Sequence, residues 1–137
     1  MVVKIKKLHK DAVIPSYARA GDGCLDLTAI SIEETDQYIE YGTGLSLEFP
    51  VEYVALLFPR SSISKYDLIL ANHVGVCDSK YRGEYKLRFR KLGDRIYKVG
   101  DRIGQLMIIP RPIIEFEESN NLSDTDRGEG GFGSSND

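Results

Sequence analysis

YKLRFRKL (residues 85–92) opens with three apolar residues at every second position, each followed by a basic one. This two-residue period is typical of a β-strand with one face buried. Three further runs are short, rich in β-forming residues and closed by proline: GLSLEFP (44–50), VEYVALLFP (51–59) and GQLMIIP (104–110). Strands therefore dominate the prediction.

The spacing of these runs indicates the architecture. Strand-like segments recur about every ten residues with Gly, Pro or Asp between them, which predicts an all-β antiparallel barrel or sandwich. Helical periodicity is scarce, and the best candidate is one or two turns after Arg60, capped by Ser61 or Ser62. We expect one domain over residues 1–118.

The last part of the chain differs in composition. SNNLSDTDRGEGGFGSSND (119–137) is polar, rich in glycine and without period, which predicts a flexible arm rather than part of the β domain. Its apolar content is too low to order a glycine-rich backbone by packing alone. If the arm becomes ordered, a ligand or another chain must order it.

Composition excludes several classes of protein. The 137 residues carry a net charge of −3, which makes no general case for nucleic acid or a membrane as partner. The two cysteines lack metal-type spacing, and the N-terminus has no apolar run typical of a signal peptide. We therefore expect a cytoplasmic chain with reduced cysteines.

One local charge bias leaves two interpretations open. Residues 80–102 hold nine basic and three acidic side chains. They could form a face for an anionic ligand or nucleic acid, although charge runs more often lie on solvated outer faces of strands.

Four segments contain residues suited to phosphate chemistry, and each also has a structural explanation. FPRSSIS (58–64) could hold a phosphate or begin a helix, and HVGVCDSKYRGE (73–84) resembles a hairpin with a carboxylate at its mouth. KVGDRIGQLMI (98–108) could be a turn before a core strand. RGEGGFGSS (127–135) could wrap a polyanion through backbone amides and arginine, or be a disordered end.

Taken in order, five segments resemble the five motifs of the trimeric dUTP pyrophosphatase (dUTPase) family: GDGCLDLTA (21–29), PRSSIS (59–64), NHVGVCDSKYRGE (72–84), GDRIGQLMI (100–108) and RGEGGFGSS (127–135). The resemblance implies a distorted β-barrel or jelly roll with one short helix and a glycine-rich C-terminal arm. It also implies a homotrimer whose active sites lie at subunit contacts, with the arm closing over a site as a lid.

The resemblance implies the reaction as well. Water would attack the α-phosphorus of dUTP to give dUMP and pyrophosphate, limiting uracil incorporation into DNA and supplying dUMP for dTMP synthesis. Asp78 matches the family's catalytic aspartate and would orient and deprotonate the water. Mg²⁺ would bridge the phosphates, and Asp26 would act through water in its outer coordination shell.

Other roles follow from the same match. Ser61 and backbone amides near Ser62 would bind phosphate, Arg60 would support assembly or the phosphates, and Gln105 would contact the α-phosphate region. Arg127 would hold the γ-phosphate and Phe132 would cover the uracil ring. The rest of the triphosphate would be wrapped by Gly130, Gly131, Gly133, Ser134 and Ser135.

Base and sugar selection would come from the third motif. The backbone at Gly75 and Val76 would pair with uracil, assisted by the side chain of Asn72. Tyr81 would lie against the deoxyribose and leave no room for a 2′-hydroxyl. His73 is expected to be a structural residue of the hairpin strand. Lys80 departs from the family, where many relatives have an acidic residue.

Two alternatives remain. A dCTP deaminase shares the fold and the nucleotide class, but that family needs a glutamate base in the strand after the hairpin, where this chain places Arg88. A non-catalytic binding module on the same scaffold would have no reason to keep Asp78 together with Gln105, Arg127 and Phe132.

Overall fold

The computed structural model describes residues 1–134. These residues form ten strands and one five-residue 3₁₀ helix, Ser61–Lys65, so the all-β prediction is confirmed. In chain order the strands are β1 (Lys4–Lys7), β2 (Leu25–Thr28), β3 (Ser31–Glu34), β4 (Ile39–Gly42), β5 (Leu45–Glu48), β6 (Tyr53–Phe58), β7 (Leu68–Leu70), β8 (Gly75–Cys77), β9 (Lys86–Lys91) and β10 (Arg102–Pro110).

The strands form two four-stranded sheets and one two-stranded sheet, and every strand pairing is antiparallel. The first sheet has the order β2-β10-β6-β8, the second has the order β3-β4-β9-β7, and β1 pairs with β5. Within residues 1–134 these pairings leave open sheet edges, so the fold is a distorted β architecture without a closed barrel.

The core lies between the inner faces of the sheets. Leu87 and Phe89 of β9 are buried at 2% and 0% exposure, whereas the basic residues between and beside them are exposed, as the alternation predicted. Tyr41 packs edge-on against Phe89 and Tyr97, with ring centroids 5.7 and 5.8 Å away. Burial raises the pKa of Tyr41 to about 12, and its hydroxyl donates to the Tyr97 carbonyl at 2.9 Å.

Four of the nine basic residues of the run 80–102 lie in β9 of the second sheet, and the charges of the run are largely paired. Six of the nine basic residues between 80 and 102 lie within 4 Å of a carboxylate: Arg82, Lys86, Arg88, Lys91, Arg95 and Arg102. Such pairing favours a neutralised outer surface over a stripe for nucleic acid.

Residues 72–84 do not form the predicted hairpin. β8 pairs with β6 of the first sheet, whereas the chain after the turn enters β9 of the second sheet. Local alternation could not show this, because sheet membership depends on pairing between distant segments. His73 is also not in a strand: it lies in an exposed turn with φ +62°, and its amide donates to Leu70.

Candidate active site

The separation of β8 from β9 opens a cavity of about 560 Å³ between the two sheets. Its lining includes the third-motif residues that the sequence singled out: Asn72, Gly75, Val76, Asp78 and Tyr81. Gly75 lies opposite Leu57 of β6, and a Cβ atom at Gly75 would meet the Leu57 Cβ at 3.0 Å. The close approach of these two strands therefore favours glycine at position 75.

Asp78 lies directly after β8, at the mouth of this cavity. Its carboxylate accepts no hydrogen bond from any group within residues 1–134, although its backbone carbonyl accepts one from the Tyr81 amide at 3.1 Å. A second hollow, of about 470 Å³, reaches Asp78 from the other side and is bordered by Lys80 and Arg111. The carboxylate thus stands in the open between two concave surfaces.

Tyr81 is held by the turn that follows. Its hydroxyl donates to the Glu84 carbonyl at 2.9 Å, and its ring is tilted by 36° against the ring of Tyr85, with centroids 5.9 Å apart. Arg82 Nη1 donates to the Ser79 carbonyl at 2.7 Å and stabilises the same turn. Tyr81 is 44% exposed, so part of its ring is available to a ligand.

Tyr85 and Cys77 contribute a buried layer of the cavity wall. Tyr85 is only 1% exposed, and its hydroxyl lies beside the Cys77 thiol. Burial raises the pKa of Tyr85, and it raises the pKa of the neighbouring Cys77 thiol as well. The sequence marked Tyr85 only as an inward-facing strand residue and gave no sign of this position.

The rim of the cavity carries a charged cluster that the sequence analysis missed. Glu40 is 6% exposed, and its carboxylate accepts hydrogen bonds from Arg88 Nε at 2.6 Å and Lys86 Nζ at 3.3 Å. Burial opposes ionisation of Glu40, but the bonds from Arg88 and Lys86 outweigh it and hold its pKa below the ordinary value. Only the register of β4 with β9 brings these residues together, so no local signal could have found them.

A second group of predicted residues lies around the end of β6. The side-chain amide of Gln105 donates to the Pro59 carbonyl at 2.9 Å, which ties the fourth motif to the second. Asp26 lies opposite Gln105 and faces two guanidinium groups, at 3.1 Å from Arg102 Nη1 and 3.7 Å from Arg60 Nε.

The serines of the second motif follow this group directly. Ser61 and Ser62 open the 3₁₀ helix immediately after Arg60, and the Ser62 hydroxyl is buried without a partner among residues 1–134. The predicted helix after Arg60 is therefore present, in its tighter 3₁₀ form. Capping by Ser61 or Ser62 was wrong: Arg60 is the N-cap residue, and no side chain makes a cap hydrogen bond.

The C-terminal arm forms a third group. Local turns bend it, with Arg127 Nε donating to the Gly130 carbonyl at 2.9 Å and the Ser134 amide donating to Gly131. Phe132 adopts φ +52° and its side chain is fully exposed. A hollow on the arm is lined by Arg127, Gly130, Gly131, Phe132, Gly133 and Ser134, and Ser135 lies outside the described residues.

The first two groups lie apart within one chain. On β6, Ala55 pairs with Cys77 and Phe58 pairs with Gln105. The Cα atoms of Cys77 and Gln105 are therefore three residues along the strand and two strand spacings across the sheet from each other, or about 14 Å. Within one chain, Asp78 and Gln105 therefore lie on opposite sides of β6.

The side chains around these groups offer little to a metal ion. Within residues 1–134, no three His, Cys, Asp or Glu side chains cluster closely enough to bind one. The Asp26 oxygens face arginines rather than open space. The described side chains thus offer no ready-made cage for a divalent cation, and Mg²⁺, which keeps several water ligands, is the ion that fits such surroundings best. In the same residues, no helical segment has the length and hydrophobicity needed to cross a bilayer.

Comparison with known proteins agrees with the motif order. The dUTPase family model matches residues 10–136. The chain belongs to the dUTPase family. A deoxyuridine 5′-triphosphate nucleotidohydrolase of Hydrogenobaculum sp. is 36% identical over 140 residues, covering 98% of this chain and 97% of the relative. One from Desulfitobacterium hafniense is 42% identical over 142 residues, covering 96% and 94%.

Solved dUTPases share the fold of this family member. A Staphylococcus bacteriophage 80alpha dUTPase with dUPNHPP superposes with a TM-score of 0.84 at 24% identity, and the match covers 98% of each chain. A mutant dUTPase from phage phi11 of S. aureus, described with a structural Mg(II) ion, has a TM-score of 0.75 at 18% identity and covers 89% of this chain and 99% of its own.

Proposed function

We propose that this dUTPase-family chain hydrolyses dUTP to dUMP and pyrophosphate. The observation that carries the proposal is the cavity between β8 and β9, which gathers Asn72, Gly75, Val76, Asp78 and Tyr81 in a chain of this family. The 80alpha relative solved with dUPNHPP supports a deoxyuridine triphosphate as the ligand.

Asp78 is the proposed general base. Its carboxylate is exposed and accepts no hydrogen bond within the described residues, so a water molecule can reach it. Asp78 would take a proton from that water as the oxygen attacks the α-phosphorus. The bond from the α-phosphorus to the bridging oxygen then breaks, and pyrophosphate leaves. General-base assistance of this kind contributes about 10²–10⁴ in rate.

The phosphates also need hydrogen-bond donors and positive charge, which we assign to the second and fourth motifs. We assign the α-phosphate to Gln105, the neighbouring phosphate oxygens to Ser61 and the backbone near Ser62, and supporting charge to Arg60. Gln105 is oriented by its bond to Pro59, and Arg60 by its ion pair with Asp26. Donors fixed before the substrate binds stabilise developing charge without reorganisation.

Three chains would complete each site. Asp78 and Gln105 lie on different parts of one subunit, since the Cα atoms of Cys77 and Gln105 are about 14 Å apart by strand geometry, while Asp78 and Gln105 are both assigned to the α-phosphate. A homotrimer resolves this conflict if Asp78 of one subunit faces Gln105 of a neighbour. The arm, residues 119–137, would come from the third chain and close over the nucleotide.

In this lid, Arg127 would hold the γ-phosphate and Phe132 would cover uracil. The backbone of Gly130, Gly131 and Gly133, with Ser134 and Ser135, would wrap the remaining oxygens. Phe132 is fully exposed in the single chain, so its ring is free to stack on a nucleotide base. Burying its ring against the base would offset part of the entropy lost when the glycine-rich arm becomes ordered.

Base selection would rest on the backbone at Gly75 and Val76 and on the Asn72 side chain. A pocket of fixed donors and acceptors rejects cytosine because the wrong base edge leaves buried polar groups unpaired. Tyr81 would exclude ribose. Mg²⁺, when bound to the triphosphate, would neutralise phosphate charge, and Asp26 would contact it only through water.

The charge cluster at the cavity rim argues against dCTP deamination. Glu40 of β4 lines the base cavity, and its carboxylate accepts hydrogen bonds from both Arg88 and Lys86. A general base held as an ion pair by two cations is poorly suited to accept a proton.

Pyrophosphate release by the purified chain with Mg²⁺ tests the proposal directly. The assay compares dUTP with dTTP, dCTP and UTP, and measures ammonia from dCTP in parallel. We expect release from dUTP alone. Absence of dUTP turnover in a folded oligomer would instead indicate a binding module, and ammonia from dCTP would indicate a deaminase.

A further inference from the structure

Tyr85 combines three features that the proposed mechanism does not use. It is almost completely buried, it lines the candidate base cavity, and its ring lies beside the ring of Tyr81. A buried ring at the wall of a cavity can act as a support for the exposed ring next to it.

The backbone of Tyr85 is fixed more firmly than that of its neighbours in the turn. Its amide donates to the Leu45 carbonyl at 2.8 Å, and its carbonyl accepts from the Thr43 amide at 3.2 Å and from the Thr43 hydroxyl at 2.6 Å. These three hydrogen bonds to one segment fix the Tyr85 backbone, and the surrounding core leaves the buried ring little freedom to move.

This fixed ring supports Tyr81 from the protein side. The two ring centroids are 5.9 Å apart, and Tyr81 presents its exposed part to the cavity. Gly83 lies close to the Tyr81 ring on another side. A side chain at this position would displace the ring, because its Cβ atom would come within 2.7 Å of Tyr81 Cε2. The bond from the Tyr81 hydroxyl to Glu84 fixes the far end of the ring.

We propose that Tyr85 is a positioning residue for sugar selection, which holds the Tyr81 ring where a ribose 2′-hydroxyl would collide with it. The proposal rests on the function assigned above, in which Tyr81 lies against the deoxyribose. A steric filter discriminates only if its wall cannot retreat, since packed interiors transmit small displacements and loose ones absorb them. Tyr85 supplies that rigidity through its ring, and its hydroxyl is incidental.

Three variants test this inference. Tyr85→Leu removes the supporting ring, and we expect the ratio of kcat/KM for dUTP over UTP to fall by about tenfold or more, the usual lower range for selection by fit. The ratio for dUTP over dCTP should stay unchanged, because residues 72–76 read the base. Tyr85→Phe keeps the ring, so both ratios and the melting temperature should be at least maintained.

Gly83→Ala tests the same wall without touching the core. Its methyl group would displace the Tyr81 ring, and the dUTP over UTP ratio should fall as it does for Tyr85→Leu. Phe89→Leu is the matched control: it truncates a fully buried ring that does not line the cavity, so it should lower stability and leave both ratios intact.

An unchanged sugar ratio in folded Tyr85→Leu would overturn the inference, as would equal relaxation of the sugar and base ratios. If Tyr85→Leu does not fold, Tyr85→Met, which fills the core with a longer side chain but has no ring, takes its place. Dissociation constants for dUMP and UMP provide a readout without turnover. Lack of dUTP hydrolysis by the wild-type chain would refute the proposed activity, whereas the two binding constants would still test Tyr85.

Discussion

The Gln105 side chain donates a hydrogen bond to the Pro59 carbonyl at 2.9 Å. β10 pairs with β6 in a register that places Gln105 opposite Phe58, so the amide reaches the residue where the chain leaves β6. The bond couples the middle of a long strand to the start of the 3₁₀ helix that carries Ser61 and Ser62. The Gln105–Pro59 hydrogen bond therefore holds together the two segments assigned to the phosphates.

Gln105→Glu should break the hydrogen bond to the Pro59 carbonyl. The new carboxylate would face the Pro59 carbonyl without a donor and would lie beside Asp26, its partner in β2. We expect the free energy of unfolding to fall by about 1–3 kcal/mol and kcat/KM for dUTP to fall as well. Gln37→Glu makes the same change at an exposed position and should alter neither quantity. Wild-type kcat/KM in Gln105→Glu would remove Gln105 from the phosphate site.

Asp78→Asn should separate binding from chemistry. The amide keeps the shape of the side chain but cannot accept the proton, so turnover should fall by at least ~10² while dUTP affinity is largely retained. Single-turnover kinetics and equilibrium binding measure the two effects. Asp36→Asn, an exposed change, is the control. Turnover close to wild type would exclude Asp78 as the base.

Ending the chain at Asp126 should remove the lid without removing the fold. Residues 111–134 contribute no strand, and the described part of the arm bonds mainly to itself. We expect a folded trimer of unchanged melting temperature whose kcat/KM for dUTP is lower by about 10², as for a misplaced substrate. Light scattering gives the mass. A monomer would make the arm an assembly element instead.

Glu40→Gln should change the response to acid. The pKa of Glu40 is lowered by its bonds to Arg88 and Lys86, so the carboxylate stabilises the fold above its unfolded pKa, near the ordinary 4.5. That contribution is lost as pH falls through the lower folded pKa.

The free energy of unfolding measured from pH 8 to pH 3 tests this expectation. The difference between wild type and Glu40→Gln should be constant above about pH 6, at about 1–3 kcal/mol, and should shrink below pH 4.5. Glu34→Gln breaks the exposed pair with Lys91 and should cost less than about 1 kcal/mol at any pH. A constant difference down to pH 3 would contradict the assignment to Glu40.

Residues 85–92 show what the sequence could predict. Their alternation follows from local backbone geometry, and it placed Leu87 and Phe89 correctly in the core. The helix after Arg60 was also predicted, but its capping by a serine was wrong, because the N-cap residue is Arg60 and no side chain makes a cap hydrogen bond.

Pairing between distant segments could not be predicted in the same way. β8 joins β6 rather than forming a hairpin. Glu40 is covered by Lys86 and Arg88, which follow it by 46 and 48 positions in the sequence. The burial of Tyr85 beside Cys77 also depends on packing that no local pattern contains. The motif residues were found individually, but their division into separate groups appears only in three dimensions.

The assignment of Asp78 and the arm to different subunits of one site also has a genetic consequence. If each site takes Asp78 from one subunit and the arm from another, two inactive variants can repair each other. Mixing Asp78→Asn chains with chains ending at Asp126 in equal amounts would leave about one quarter of the sites with an intact aspartate and an intact arm. Two defective alleles expressed in the same cell would then restore activity that neither provides alone.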